Sequence, residues 1–232
     1  MEKLLGSRLI LDIRNIIPDH AVCLEAGCGT GRIMERLISE SSISRIIGVD
    51  FSLSALQIAL IRLDDGKEKT NTTDLILADV RRLPLRNEAF DVVISLGVIE
   101  HYPDPEDLLI EMRRILKKKG IIFLETPNKG MFGLSSTIIQ IKASKYGHHD
   151  FYTSSELAGL LKRCGFHIFD SYSLDFSWGV ANRLHDIWPI ILKEKSLLLE
   201  YLSFLIVRFL TLPLNKLFPT RGYYSIAIAT KD

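Results

Sequence analysis

Three glycines at alternate positions, Gly27, Gly29 and Gly31, separate an apolar run ending at Glu25 from helix-forming sequence over 33–38. The pattern reads as strand, turn and helix. Glycine lets the backbone take φ > 0 and lets a ligand approach with no Cβ in the way. The helix start adds unpaired N–H groups and the positive end of a dipole, so the turn suits a ligand carrying a carboxylate or a phosphate. Asp50 closes the next apolar run, roughly 20 residues beyond the glycines, where a carboxylate can accept hydrogen bonds from both hydroxyls of a ribose. It could also cap the helix expected over 53–63, although Ser52 could cap that helix equally well. Asp79 ends a third apolar run, ahead of Arg81 and Arg82. His101, His148 and His149 are candidates for proton transfer near neutral pH. Each has an ordinary alternative as a hydrogen-bonding loop residue.

The elements that must hold these groups alternate along the chain. Strands are expected at the runs ending in Glu25 and Asp50, then over 75–80, from 90 onward and over 121–125, with residues 66–73 as a loop. Asp104 and Pro105 open a helix as N-cap and first residue. Leu108, Leu109, Met112, Ile115 and Leu116 fall on one face of it. Lys117, Lys118 and Lys119 read as its last turn, with Gly120 closing it. Strands alternating with helices over 21–128 imply a parallel, doubly wound sheet. Ligands of such sheets lie at the carboxyl ends of the strands, where Glu25, Asp50, Asp79 and residues 95–97 all fall.

Composition narrows the classes. The chain has 232 residues, 47% of them hydrophobic, enough for one domain, 1–232, with a buried core. A net charge of +1 gives no electrostatic case for a nucleic-acid partner. Cys23, Cys28 and Cys164 form no Cys-x-x-Cys pair, so neither a zinc site nor a disulfide framework is indicated and reduced, cytoplasmic thiols are the default. Residues 1–19 are punctuated by charges and lack a signal-peptide core. Leu4, Leu5, Ile10, Leu11, Ile13 and Ile17 suit an amphipathic helix there.

The glycine spacing separates two ligand classes. A dinucleotide fingerprint, G-x-G-x-x-G, would put its third glycine at position 32, which is Arg32. The sequence instead reads Glu-x-Gly-x-Gly-x-Gly from Glu25 to Gly31. With Asp50, Ala78-Asp79-Val80, Phe90-Asp91-Val92-Val93, Glu100-His101 and the run 116–124, it resembles the class I S-adenosylmethionine (SAM)-dependent methyltransferases. Among them it is similar to the small-molecule enzymes related to ubiquinone and menaquinone biosynthesis, over about residues 21–165. The resemblance implies a Rossmann-like α/β sheet of seven strands, mostly parallel, whose last strand, 223–229, is antiparallel. It implies SAM as cofactor, held by Glu25, Gly27, Cys28, Gly29, Thr30, Gly31, Asp50, Phe51, Ser52, Asp79, Val80, Leu96, Gly97 and Val98, with Asp79 accepting from the adenine amino group. It also makes 129–155, which contains His148 and His149, a substrate-side insertion ahead of a helix over 156–164 capped by Thr153 or Ser154. The function so implied is methyl transfer to oxygen or carbon of a small, hydrophobic or lipid-like acceptor. RNA modification and a non-catalytic SAM-binding partner protein are the alternatives.

Two departures bear on this. The Asn/Asp-Pro-Pro-Tyr signature of many amino-methylating nucleic-acid enzymes is replaced by Ser95-Leu96-Gly97-Val98. Some relatives bind a metal through Glu-x-x-Glu-His; here Gly97 stands in the first position, so no metal is expected. A second insertion, 179–220, contains the apolar stretch 197–212, in which Glu200, Ser203, Arg208 and Thr211 share one helical stripe. Pro213 ends or kinks it. It is short of the about 20 apolar residues that span a bilayer. Its wide apolar face has three places to go: the core, a homodimer partner, or a membrane surface leading to a lipidic acceptor, with Trp178 and Trp188 nearby.

Overall fold

The computed structural model describes residues 2–40, 43–64, 72–129, 150–174 and 224–232. The chain runs α1 (Glu2–Ile16), β1 (Val22–Ala26), α2 (Arg32–Glu40), β2 (Arg45–Asp50), α3 (Leu53–Leu63), β3 (Thr72–Leu77), β4 (Phe90–Leu96), a 3-10 turn (Ile99–His101), α4 (Pro105–Ile115), β5 (Leu116–Pro127), α5 (Ser154–Arg163), β6 (Phe166–Leu174) and β7 (Tyr224–Lys231). The seven strands form one sheet in the order β3-β2-β1-β4-β5-β7-β6. β1 pairs in parallel with β2 and β4, β2 with β3, and β4 with β5. β7 runs antiparallel to both of its neighbours. Strand order reverses between β1 and β4, which opens a crevice at their carboxyl ends.

Both faces of the sheet are covered. Cys23, Ile46, Ile94, Phe123 and Ile226 pack on one side with Ile10 and Ile13 of α1 and Met34 and Leu37 of α2. Leu24, Val93, Leu124 and Ala227 pack on the other with Leu108 and Met112 of α4 and Leu157 and Leu161 of α5. Burial on both faces accounts for the unbroken apolar run of β4. In α1 the expected apolar face is narrower than read. Leu11 is 47% exposed, because at about 100° per residue it leaves the stripe of Ile10 and Ile13.

Three element boundaries differ from expectation. α4 stops at Ile115, and Leu116, the three lysines and Gly120 belong to β5 rather than to a helix end. Leu116 is already extended, at φ −67° and ψ 138°. Lys117 Nζ lies 2.9 Å from both carboxylate oxygens of Asp91 on β4, and Lys119 takes φ +61° where the β4–β5 register shifts between Phe90 and Val92. A cross-strand ion pair and a bulge thus reward the extended form. β3 starts at Thr72, inside the expected loop, and ends at Leu77, so Asp79 stands two residues past the strand. Asp104 precedes Pro105 as expected but makes no side-chain cap bond. α5 matches its sequence signal: Thr153 and Glu156 form a capping box, and Gly165 ends the helix at φ +83°. Most of the two insertions, with His148, His149, Trp178, Trp188 and 197–212, lies outside the described residues. No described helix is long and apolar enough to cross a membrane.

Candidate functional site

β1 delivers Glu25 and then the glycine turn. Gly27, Gly29 and Gly31 take φ of +78°, +52° and +73°, which L side chains adopt at a cost. The amides of Gly27 and Cys28 donate to Val49 O at 2.7 and 3.0 Å, tying the turn to β2. A Cβ on Gly27 would collide with Val98 Cγ2, whereas one on Gly29 would meet nothing within 4 Å. Gly29 is therefore where the backbone is open to a ligand.

The end of β2 clasps that opening. Asp50 Oδ2 accepts from Gly29 N at 2.8 Å and Oδ1 from Ser52 N at 2.9 Å. Ser52 Oγ caps α3 by accepting from Ala55 N at 3.3 Å. The cap is thus Ser52, and Asp50 shapes the turn while keeping lone pairs for a further donor. Phe51, next to it, presents a ring that is 78% exposed.

A cavity of about 410 Å³ opens beside the turn. Glu25, Gly27, Cys28, Gly29, Thr30, Leu96 and Gly97 meet on its wall, and Asp50 acts on it through Gly29. Gly31, Phe51, Ser52, Asp79, Val80 and Val98 do not line it. Val80 and Val98 are buried in the core on the α4 side. Asp79 is engaged elsewhere: Arg81 Nη2 lies 2.6 Å from its Oδ2, and Arg81 N and Nε also donate to the carboxylate. Arg81 in turn lies over the Tyr102 ring at 5.2 Å. The guanidinium holds the Asp79 carboxyl below its usual range. His101 sits exposed in the 3-10 turn, its amide bonded to Val98 O at 3.1 Å.

The wall also contains residues that sequence reasoning missed: Leu9, Arg32, Ile33, Arg62, Glu125 and Tyr224. Arg62 braces the turn from α3, donating to Thr30 O at 3.0 Å and to Glu35 Oε2 at 3.1 Å. Nothing local in the sequence marks it. Glu125 was readable, since it stands at a strand end like Glu25 and Asp50.

Charge is the unusual feature here. Burial pushes the Glu25 carboxyl up to about 8, against the lowering effect of the Met34 amide in the first turn of α2. Burial, with Glu100 nearby, raises Glu125 well above the carboxylate range. Burial also lifts Glu100 to about 7, opposed by its own backbone amide and by Thr126 Oγ1, which donates to it at 3.2 Å. Among the described residues Glu25 Oε2 and Glu125 Oε1 have no hydrogen-bond partner, and no three His, Cys, Asp or Glu side chains group as metal ligands. An open glycine backbone, a ribose-competent acid and partnerless buried carboxyl oxygens fit a nucleoside joined to a cationic amino acid, which describes SAM.

Comparison with known proteins agrees. Residues 24–124 match the methyltransferase domain family. The ubiquinone biosynthesis O-methyltransferase of Hydrogenovibrio crunogenus is 23% identical over 166 residues, 68% of this chain and 67% of that protein. Its namesake in Photorhabdus laumondii is 26% identical over 181 residues, 70% of this chain and 73% of that one. In structure, phosphoethanolamine N-methyltransferase 2 of Haemonchus contortus, solved in complex with SAM, superposes with a TM-score of 0.67 at 19% identity, covering 97% of this chain and 51% of that one. That last likeness is one of fold. Residues 24–124 are thus a methyltransferase domain on a doubly wound seven-stranded sheet similar to that of the class I enzymes, which makes the protein a SAM-dependent methyltransferase with SAM as its cofactor.

Proposed function

We propose that this enzyme methylates an oxygen of a small, hydroxylated, hydrophobic or lipid-like acceptor. The relatives named as ubiquinone O-methyltransferases support the acceptor class. The observation that carries the cofactor pose is the Asp50–Gly29 clasp beside the unpartnered oxygen of Glu25. In this reading the ribose meets Asp50, and the adenine lies by Phe51 and Val80. The methionine end runs along Gly27, Gly29, Leu96 and Gly97. Bound there, SAM supplies a methyl group already made electrophilic by its sulfonium. The chain's task is to hold an acceptor oxygen in line with that methyl and to exclude water, for which Leu9, Ile33 and Leu96 give the cavity an apolar wall. His101, His148 and His149 are the proposed proton acceptors for a hydroxyl that must ionise.

The test is transfer of labelled methyl from SAM into a cell extract, followed by extraction with organic solvent. Label in the organic fraction supports the reading. Label in RNA moves the enzyme to another substrate class, and no label in any fraction favours a SAM-binding partner protein. A cytoplasmic location is part of this proposal, with the stretch 197–212 packed in the core, against a second copy of the chain or on a membrane surface. Flotation with liposomes, comparing wild type with Phe204→Glu/Phe209→Glu, tests the membrane; a wholly soluble wild type, with a double variant changed only in oligomeric mass, assigns the subunit interface.

A further inference from the structure

The cavity floor follows from sheet geometry. Side chains alternate across a strand, and Cys23, Ile94, Phe123 and Ile226 all point to the α1–α2 face. Two positions nearer the ligand edge of each strand, the same face presents Glu25, Leu96, Glu125 and Tyr224, and all four line the cavity. Leu96 pairs with Glu125 across β4–β5, and Gly97 N donates to Glu125 O at 3.1 Å. Glu25 pairs with Ile94 on one side of β4 and Glu125 with Leu96 on the other, so the two acids flank β4 about 12 Å apart, two strand spacings with a two-residue offset. Glu125 is 5% exposed, and its Oε1 has no partner among the described residues. No motif assigns it a role, and the turn and the clasp are complete without it.

A carboxyl buried beside a cavity without a partner is costly unless something enters to pair with it. In the pose proposed above the occupant of this cavity is SAM, which bears an α-ammonium and a sulfonium as well as its α-carboxylate. We propose that Glu125 is a second cofactor-facing carboxyl, opposite Glu25, that receives positive charge from the methionine end of SAM. The residue acts by charge and position and takes no part in bond making. The inference rests on the cofactor pose proposed above. The groups around Glu125 are consistent with it. Glu100 on the 3-10 turn, followed by His101, and Glu25 on β1 are acids or neutral near pH 7. Tyr224 and Ser225 come from β7, Thr126 from its own strand and Asn128 from just past the end of that strand. Arg32 and Arg62 approach from α2 and α3, on the glycine-turn side. Burial and Glu100 raise the Glu125 carboxyl well above the carboxylate range, so pairing with a cation favours its ionised form and releases a proton.

The experiment is calorimetry at pH 7 in two buffers of different ionisation enthalpy, with SAM and with S-adenosylhomocysteine as probes. It uses the full chain as wild type, Glu125→Gln and Glu125→Asp, with folding checked by circular dichroism. Expected is proton release on SAM binding to wild type, less release in Glu125→Gln, and SAM affinity lower by about 10- to 100-fold, with partial rescue in Glu125→Asp. Equal losses for both probes assign the α-ammonium, which both carry. A loss confined to SAM assigns the sulfonium. Unchanged affinity and proton count in a folded Glu125→Gln overturn the proposal and leave the cofactor pose standing. If wild type binds neither probe, the pose itself fails and takes the proposal with it.

Discussion

The acid at the end of β2 and the acids at the ends of β1 and β5 occupy equivalent places in the sheet and live under opposite conditions. Asp50 has an amide on each oxygen, from Gly29 and Ser52. Glu25 and Glu125 are buried as deeply, yet each keeps an oxygen with no partner among the described residues. A satisfied acid is architecture: it fixes the turn whether or not a ligand is present. An unsatisfied buried acid burdens the empty protein, by about 1–3 kcal/mol for a polar group left unpaired, and is relieved by a ligand that brings the missing charge or donor. The ligand edge of this sheet therefore divides into a part that makes the shape and a part that waits for the occupant.

The sharpest way to break the first part is Gly27→Ala. The residue holds φ +78° and its Cβ would drive into Val98. Strain and overpacking together predict a loss of about 2–5 kcal/mol in urea unfolding. Gly29→Ala separates folding from binding at the same turn. Its Cβ meets only open space, so the protein should fold at a cost near 1 kcal/mol and lose SAM affinity in calorimetry, because the methyl points to where the ligand lies. Next in size is Asp50→Ala, which strips two backbone amides of their acceptor. It should cost about 1–3 kcal/mol of stability and weaken SAM and S-adenosylhomocysteine equally, since both carry the ribose.

The shape-making part was largely legible in the sequence, because it is written in local signals. Alternate glycines, an acid after an apolar run, and Thr153 three residues before Glu156 each report a conformation within a few residues of themselves. The failures came where long-range pairing overrode a local signal. Lys117, Lys118 and Lys119 look like a helix end, but Asp91, 26 residues earlier, draws Lys117 into a strand. Asp79 looks like a residue at a strand's end, but the β2–β3 ladder ends at Leu77. Arg62 reaches Thr30 across 32 residues, and no spacing rule announces that. Glu125 failed differently: its strand end was visible, but nothing in a linear reading shows that its side chain shares a face with Glu25.

The waiting part can be tested without any ligand through the pH dependence of stability. Glu25 goes from an ordinary 4.5 to about 8 in the fold, and Glu100 from 4.5 to about 7. The folded state then holds protons that the unfolded chain releases between those values. Stability is fully present below pH 4.5 and is lost as pH rises toward 8. Unfolding free energies from urea titrations should fall between pH 5 and 8 by up to several kcal/mol on account of these groups, at most about 1.4 kcal/mol per pH unit for each carboxyl that the fold keeps protonated. Glu25→Gln, which cannot ionise, should flatten the upper half of that decline, and saturating SAM should offset it in wild type. A flat profile in the wild type would place these carboxyls in contact with water and remove the contrast with Asp50.

The smallest expected effect lies at the other edge of the site, where an acid expected to meet the cofactor is paired with a neighbouring arginine. Asp79 and Arg81 form an exposed pair, at 40% and 49% side-chain exposure. Removing Arg81 should therefore change stability by less than about 1 kcal/mol. The pair matters if the adenine amino group must reach Asp79, since the guanidinium now donates to both carboxylate oxygens. SAM then has to displace Arg81, leaving it on the Tyr102 ring that it already overlies. Arg81→Ala frees the acid, so SAM should bind a few-fold more tightly, by up to the about fivefold that the loss of a surface ion pair represents. Raised salt, which screens exposed pairs, should bring wild type toward the variant. A fall in affinity on Arg81→Ala would mean that the guanidinium itself faces the cofactor, stacking or donating where the acid was expected to accept. Asp79 would then belong with Asp50 among the groups that hold the site's shape.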